Sequence, residues 1–556
     1  MAFNLADLFE LVVDTVPDRL ALVAGGRRLT YRELDERSNR FAHHLAAAGI
    51  GAGAPVAIYS WNRAEWIEAM FAAWKIRAVP INLNYRYVAD EARYILDNAD
   101  VVAVVHERGF APVLQSIAAD LPRVRHYVTL DDGTVDEDAR RACDALAGVD
   151  YEDALRAQSP ARGFAPRSSD DLYMLYTGGT TGMPKGVVWR HEDIFFAAMG
   201  GGGFGQPPIA TPEELRTRVA AEGTQLVGIC NAPMMHGGGQ WVSCIAFFGG
   251  NTCILNTSRH FDADEVLRLA ERERARTIMV VGDAMARPLA DALSNPAASY
   301  DTSNIVGIGS GGALLSAAVK EQLRAVLPNA VVVDSFGASE TGAGGSVMDV
   351  DGPAAGPRFT MGPFMTVLDD ELRPVEPGSG RVGRLARGGH VPLRYHKDED
   401  KTAATFLTTA DGTRWVVPGD HARIEADGAI TLLGRGSVCI NSGGEKIFPE
   451  EVEAALKAHP DVFDAVVIGV PDERFVERVA AIVQPRPGGS VSLEAVQEHC
   501  RTKLAGYKVP RQLVVLDELV RTPVGKPDYR WAKATALAAS PALSPPRSRS
   551  PASGTA

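Results

Sequence analysis

The 556 residues hold only six cysteines, Cys143, Cys230, Cys244, Cys253, Cys439 and Cys500, with no C-x-x-C pair and no Cys/His cluster at metal-ligand spacing. That scarcity excludes a disulfide framework and a structural zinc site, and the thiols read as reduced, as in a cytoplasmic protein. No stretch of about eighteen consecutive apolar residues occurs, and the opening MAFNLADLFELVVD has no basic region ahead of an apolar core. The expectation is a chain without a transmembrane segment or secretory leader. Positive charge is also in short supply. A net charge of −12 and a pI near 5.6 argue against nucleic acid or an anionic membrane as partner, since both would be repelled at long range. A small anionic ligand in a local basic pocket stays open, as does homo-oligomerisation. No internal repeat is evident.

What is present is enough apolar material, 46% of residues, for two or three domains. Strand-like runs alternate with amphipathic helical stretches: PVAIYS, AEWIEAMFAAWKI, AVPINLN, DEARYILDNA and VVAVVH, and later TQLVGICNAP, RTIMVVG, NIVGIG and AVVVDSFG. This rhythm predicts α/β architecture, a large N-terminal domain of layered sheets and helices. Short strands with turns near residues 370–433 predict a β-rich closing subdomain. The pattern then restarts as PEEVEAALKAHP, DAVVIGVPD, RVAAIVQP and VPRQLVVLDEL, which predicts a small α+β C-terminal domain. The expected boundaries are 1–433, 434–535 and a Ser/Pro-rich tail, 536–556, too poor in large apolar side chains to order itself.

Chemistry concentrates in YTGGTTGMPKG, residues 176–186. Gly178, Gly179 and Gly182 let backbone N–H groups converge on phosphate oxygens, Thr177, Thr180 and Thr181 add hydroxyls, and Lys185 adds charge. It is not a Walker A loop, because Gly186 follows Lys185. A competing signal is Gly307, Gly309 and Gly312 at G-x-G-x-x-G spacing with Asp334 closing the next strand, which taken alone suggests an NAD-dependent oxidoreductase. Its bland alternative is tight strand-to-helix packing. VVVDSFGASETG favours a different ligand, since Phe336 offers an aromatic face for adenine and Glu340 offers a carboxylate for Mg²⁺, which prefers oxygen ligands and bridges phosphates.

These segments resemble the adenylate-forming enzymes, and within them the acyl-CoA synthetases. YTGGTTGMPKG is similar to the family's phosphate loop and GSGGALLS to its adenine-side loop, which implicates Gly311, Gly312 and Ala313. SFGASE resembles the aromatic-Gly-x-Thr-Glu segment, implicating Ser335, Phe336, Gly337, Ser339 and Glu340, with Ser339 in the threonine's place. WVVPGD implies that Asp420 holds the ribose, GRGSVCINSGGEKIFPEEVE implies a second ribose contact at Arg435 and a hinge, and RTPVGKPDYR implies a catalytic lysine at Lys526. Val438 stands where the hinge motif usually carries aspartate or lysine. The six segments follow the family's order from about residue 10 to 535.

The resemblance implies ATP, Mg²⁺ and CoA. A carboxylate attacks the α-phosphorus of ATP, giving acyl-AMP and pyrophosphate, and the CoA thiol then expels AMP. Two anions must meet, so catalysis is mainly charge neutralisation and positioning. Lys526, Lys185 and Mg²⁺ on Glu340 and Thr177 are the expected agents. A mobile C-terminal domain would then present Ser442, Gly443 and Gly444 on the CoA side. NAPMMHGGGQWVSC places His236 and Gly237 by the acyl pocket. The glycines of GGGGFG at 200–205 and those at 237–239, with Gly344 and Gly345, either leave volume for a wide acid or relieve crowding at turns. At subfamily level TIMVVGDAMARPL, the hinge segment and GKPDYRWAK look most like actinobacterial ligases that activate steroid side-chain carboxylates in cholesterol catabolism. Medium- or long-chain fatty acids are the rival substrates, an adenylation-only ligase serving a carrier protein is a further variant, and an inactive acyl- or AMP-binding sensor is the remote alternative.

Overall fold

The computed structural model describes residues 3–539 apart from 178–182, 204–206, 222–224, 314, 349–357, 410, 436–437, 443–444, 473–475 and 523–525. The chain divides into two compact units, Met1–Leu433 and a second beginning at Gly434.

In the large unit, the βαβ rhythm of residues 55–150 forms an all-parallel sheet in the order Val79–Asn82, Pro55–Tyr59, Ala103–Glu107, His126–Leu130, Val149–Asp150. Its strands are mainly apolar because both faces are covered, with Asn82, His106 and Glu107 among the buried polar exceptions. The helix Ala64–Lys75 shows the cost of such covering, since all twelve of its residues are buried. Its charged members survive by pairing: Lys75 Nζ donates to Glu10 and Asp35 at 2.6 Å each, and Glu68 accepts from Arg37 at 2.8 Å.

The second sheet is parallel from Leu20–Ala24 through Thr252–Leu255, Val227–Cys230, Thr277–Val280 and Gly307–Gly311 to Val331–Ala338. There it turns antiparallel through Gly342–Met348 and Arg358–Met361 and runs on into Ile430–Arg435, Asp420–Ile424 and Val382–Arg387. The β-rich subdomain is therefore a continuation of the central sheet. A third, small sheet joins Leu172–Thr177, Lys185–Arg190 and Arg394–Tyr395.

The small unit pairs Val462–Asp472 with Val476–Pro485, which is flanked by Ile440–Ser442 and, in parallel, by Gln512–Val515. Helix Pro449–Lys457 covers it with Val452 and Leu456 fully buried. The last helix, Tyr529–Ala538, extends three residues beyond the expected limit of 535, because Ala536 still packs into the core. Residues 540–556 of the expected tail lie outside the described residues. Among the described residues no helix is long and apolar enough to cross a membrane.

Candidate adenylation site

The hairpin Leu172–Thr177 and Lys185–Arg190 ends with Thr177 facing Lys185, so a threonine and a lysine flank the mouth of the glycine loop. Gly178, Gly179, Thr180, Thr181 and Gly182 lie outside the described residues. Gly186 is closely packed beside Lys185, since a Cβ there would stand 3.0 Å from both the Tyr176 ring and the Met174 sulfur. The Lys185 ammonium lies 4.0 Å from Asp398 Oδ2 and 5.2 Å from the centre of the Tyr395 ring.

Below the loop, buried Asn82 donates to Tyr176 O at 2.9 Å and to Met235 O at 2.7 Å, and accepts from Tyr176 N–H at 2.8 Å. One side chain thus fixes the root of the glycine loop against the segment carrying His236. Sequence reasoning missed it, although Asn82 directly after the apolar run AVPI was a visible signal, since a buried amide must be satisfied.

Glu340 sits in the turn between Val331–Ala338 and Gly342–Met348. Thr341 Oγ1 closes that turn, accepting from Ala338 N–H at 3.0 Å and donating to Gly342 O at 3.2 Å. Gly342 has φ +64°, and a Cβ there would lie 2.7 Å from Ala197 O. Trp189 Nε1–H donates to Ser339 O at 3.0 Å, and the Tyr395 hydroxyl donates to Glu340 Oε1 at 2.8 Å. The turn is therefore held by the same small sheet that carries Lys185. Among the described residues the second Glu340 oxygen accepts no hydrogen bond. A half-exposed carboxylate with one oxygen engaged and the other accepting no hydrogen bond fits Mg²⁺, which takes one or two protein ligands and completes its shell with phosphates and water.

Gly311 pairs with Ser335 in parallel register, which brings GSGGA and SFGASE side by side, and Gly312 turns the chain with φ +83° next to Ala313. Gly337 is needed where the hairpin strands close up, because a Cβ would lie 2.3 Å from Gly342 O. The Phe336 ring packs over Gly344 and Gly345 and lies 5.0 Å from Phe359. Asp420, half-buried, opens the strand that follows Gly419 at φ +100°. Arg435 ends Ile430–Arg435.

The glycines of two segments have alternative readings, and their surroundings bear on both. Gly307 and Gly309 belong to the strand Gly307–Gly311 rather than to a strand-to-helix turn, and their absent side chains make room for Thr277 and Met279. Asp334 is buried against Lys320 at 2.8 Å, with burial pushing its carboxyl up to about 6 against the pull of that lysine. A carboxylate so committed cannot hold a ribose, and the dinucleotide reading fails. Most of the acyl-side glycines also do not line open space. A Cβ would lie 2.4 Å from the Phe195 ring at Gly201, 2.3 Å from Phe196 O at Gly202, 2.8 Å from Leu175 at Gly237, 2.4 Å from Pro233 O at Gly239 and 2.3 Å from the Phe336 ring at Gly344. These five are close-approach glycines, whereas Gly238 has nothing within 4 Å and the nearest atom to a Cβ at Gly200 is 3.9 Å away. His236 stands at the start of helix Gly237–Phe248, half-buried.

In the small unit, Lys526 is exposed at the end of a turn in which its N–H donates to Thr522 Oγ1 at 3.1 Å and its carbonyl accepts from Thr522 N–H at 2.8 Å. Arg521 anchors that turn by a bidentate pair with Asp464 at 2.6 and 2.5 Å, and Lys457 approaches the same carboxylate at 3.4 Å. Burial raises the Asp464 carboxyl, and the two cations outweigh it, leaving it below its usual range. Ser442 is buried on Ile440–Ser442, Val438 is half-buried, and Gly443 and Gly444 lie outside the described residues.

The AMP-binding enzyme family matches residues 9–394, and the AMP-binding enzyme C-terminal domain matches residues 451–526. The chain belongs to this family of adenylate-forming enzymes. It is 48% identical over 539 residues to the 3-oxocholest-4-en-26-oate–CoA ligase of Rhodococcus rhodochrous, covering 96% of each chain. It is 47% identical to the medium/long-chain-fatty-acid–CoA/3-oxocholest-4-en-26-oate–CoA ligase of Mycolicibacterium smegmatis, again over 96% of each. The fold is shared with the crystal structure of the anthranilate CoA ligase AuaEII in complex with anthranoyl-AMP, with a TM-score of 0.81 at 23% identity over 96% of this chain and 98% of that one.

Proposed function

We propose that this AMP-forming acid–thiol ligase activates a steroid side-chain carboxylate with ATP and transfers the acyl group to CoA. The observation that carries the reading is the convergence of Lys185 and Glu340 on Tyr395, which sets a cation and a carboxylate beside the root of a glycine loop, as phosphate chemistry requires. The two ligase relatives named above support the acid.

The substrate carboxylate oxygen bonds to the α-phosphorus while the bond to pyrophosphate breaks. Lys185 and the loop amides of residues 178–182 neutralise the departing phosphates, and Lys526 spans the acyl and α-phosphate oxygens. Mg²⁺, held by Glu340 and Thr177, would supply further charge neutralisation on the phosphates. Gly311, Gly312, Ala313, Ser335, Phe336, Gly337 and Ser339 border adenine, and Asp420 and Arg435 hold the ribose. His236 and Gly237 border the acyl group. In the second step the CoA sulfur bonds to the acyl carbon and AMP departs, with Ser442, Gly443 and Gly444 on the thiol side after rotation of the small domain. The protein acts in the cytoplasm.

Medium- or long-chain fatty acids are the second reading, favoured by the double activity in the name of the M. smegmatis relative. Incubation with ATP, Mg²⁺, CoA and a panel of steroid side-chain and straight-chain acids, followed by mass spectrometry of AMP and thioester, separates them. Steroid thioester supports the first reading, thioester from fatty acids alone supports the second, and acyl-AMP without thioester would mean that CoA is not the acceptor.

A further inference from the structure

Tyr395 lies in none of the glycine-rich segments, yet it touches both charged groups of the site. Its strand, Arg394–Tyr395, pairs with Val187 and Val188, one turn of the pleat beyond Lys185. Its N–H donates to Thr402 Oγ1 at 3.0 Å, its ring packs edge-on to Phe406 with centroids 5.4 Å apart, and only 6% of the residue is exposed. The ring is thus immobilised by its own backbone and by a core neighbour. From that fixed position it offers its face to the Lys185 ammonium at 5.2 Å and its hydroxyl to Glu340 Oε1 at 2.8 Å.

We propose that Tyr395 is a positioning residue with two separable tasks: its hydroxyl aims the Glu340 carboxylate at a phosphate-bound divalent cation, and its ring carries Lys185 toward the phosphates. The first task is that of an outer-shell donor, which restrains a ligating carboxylate by engaging one oxygen and leaving the other for the metal. The second uses the negative face of the ring to hold an ammonium without a short ion pair. Asp398, at 4.0 Å, is too distant to neutralise the lysine fully, so the ammonium keeps charge for an incoming anion. The inference rests on the ATP-dependent reading above.

The test compares Tyr395→Phe, Tyr395→Met and Lys185→Ala by binding of a fluorescent ATP analogue, first in EDTA and then during Mg²⁺ titration, with Mn²⁺ binding followed by electron paramagnetic resonance. Tyr395→Phe is expected to raise the cation concentration for half-maximal binding about tenfold, while binding in EDTA stays within about twofold. Tyr395→Met is expected to show the same cation defect and also to weaken binding in EDTA by about threefold to tenfold. In the Lys185→Ala background Tyr395→Met should add nothing in EDTA. Unchanged cation dependence in Tyr395→Phe would overturn the hydroxyl's task, and wild-type binding in EDTA by Tyr395→Met would overturn the ring's. Equal losses in both conditions with a lowered melting temperature would reduce Tyr395 to packing. If Met disturbs the contact with Phe406, Tyr395→Phe alone decides the hydroxyl's task, and the Lys185→Ala and Tyr395→Phe double variant decides independence, expected as a product of the single effects. A wild-type protein that binds no ATP would contradict the functional reading itself, a separate outcome.

Discussion

Lys75 and Lys185 both stand beside carboxylates, and the difference between them separates structure from chemistry. Lys75 is fully buried and donates to Glu10 and Asp35 at 2.6 Å each, with Arg167 and Arg162 completing the network at 2.7 and 2.9 Å. Lys185 keeps 31% of its side chain exposed, and Asp398 is 4.0 Å away. The first lysine is wholly committed to its neighbours and has no charge left to offer a ligand. The second is held by a ring face and a distant acid, so its charge remains available where phosphate would enter. Lys526 is likewise exposed, and the short ion pair beside its turn is made by Arg521 with Asp464.

The comparison is sharpened most by Lys526→Ala, expected to lower acyl-AMP formation by about 10³-fold while thioester formation from supplied acyl-AMP changes little; pyrophosphate exchange and thioester assays read the two steps. Lys75→Met is expected to do the reverse, costing about 3–5 kcal/mol of stability by stranding buried carboxylates, with adenylation by the folded fraction preserved. Urea unfolding and active-site-normalised rates check it, and a Lys75→Met protein as stable as wild type would break the comparison.

A smaller effect follows from Glu10, whose carboxyl sits at about 2 in the folded protein against an ordinary 4.5. Burial opposes ionisation there, and Lys75 and Arg167 overcome it. Because the folded state prefers the ionised form, this stabilisation is fully present above about pH 4.5 and decays as the pH falls through about 2. Melting temperatures of wild type and Glu10→Gln should therefore converge on acidification across that window. The smallest contrast separates two glycines of one helix. Gly239→Ala meets Pro233 O at 2.4 Å and should destabilise by about 1–3 kcal/mol, whereas Gly238 has nothing within 4 Å. Gly238→Ala should be neutral or stabilising by up to about 1 kcal/mol, and calorimetry distinguishes them.

The parallel strands were legible because a doubly covered strand reads as a near-continuous apolar run, as VAIY in PVAIYS and IMVV in RTIMVVG are. The residues that hold the site together were less so. Tyr395 reaches Glu340 across 55 positions and Arg521 reaches Asp464 across 57, and no local pattern marks such partners. Glycine was the most misleading letter. At Gly201, Gly239 and Gly344 it records a neighbour's close approach, which composition cannot distinguish from an empty wall. The same ambiguity made Gly307 and Gly309 resemble a nucleotide turn when they belong to a strand packed against Thr277 and Met279.

The central claim is that the acid's own oxygen attacks the α-phosphorus at the site of Lys185 and Glu340. Its most direct test is a turnover of steroid acid labelled with ¹⁸O in the carboxylate, with mass spectrometry of AMP, pyrophosphate and thioester. The account predicts one ¹⁸O in AMP, one in the thioester carbonyl and none in pyrophosphate. Unlabelled AMP, or label in inorganic phosphate with release of ADP, would contradict it.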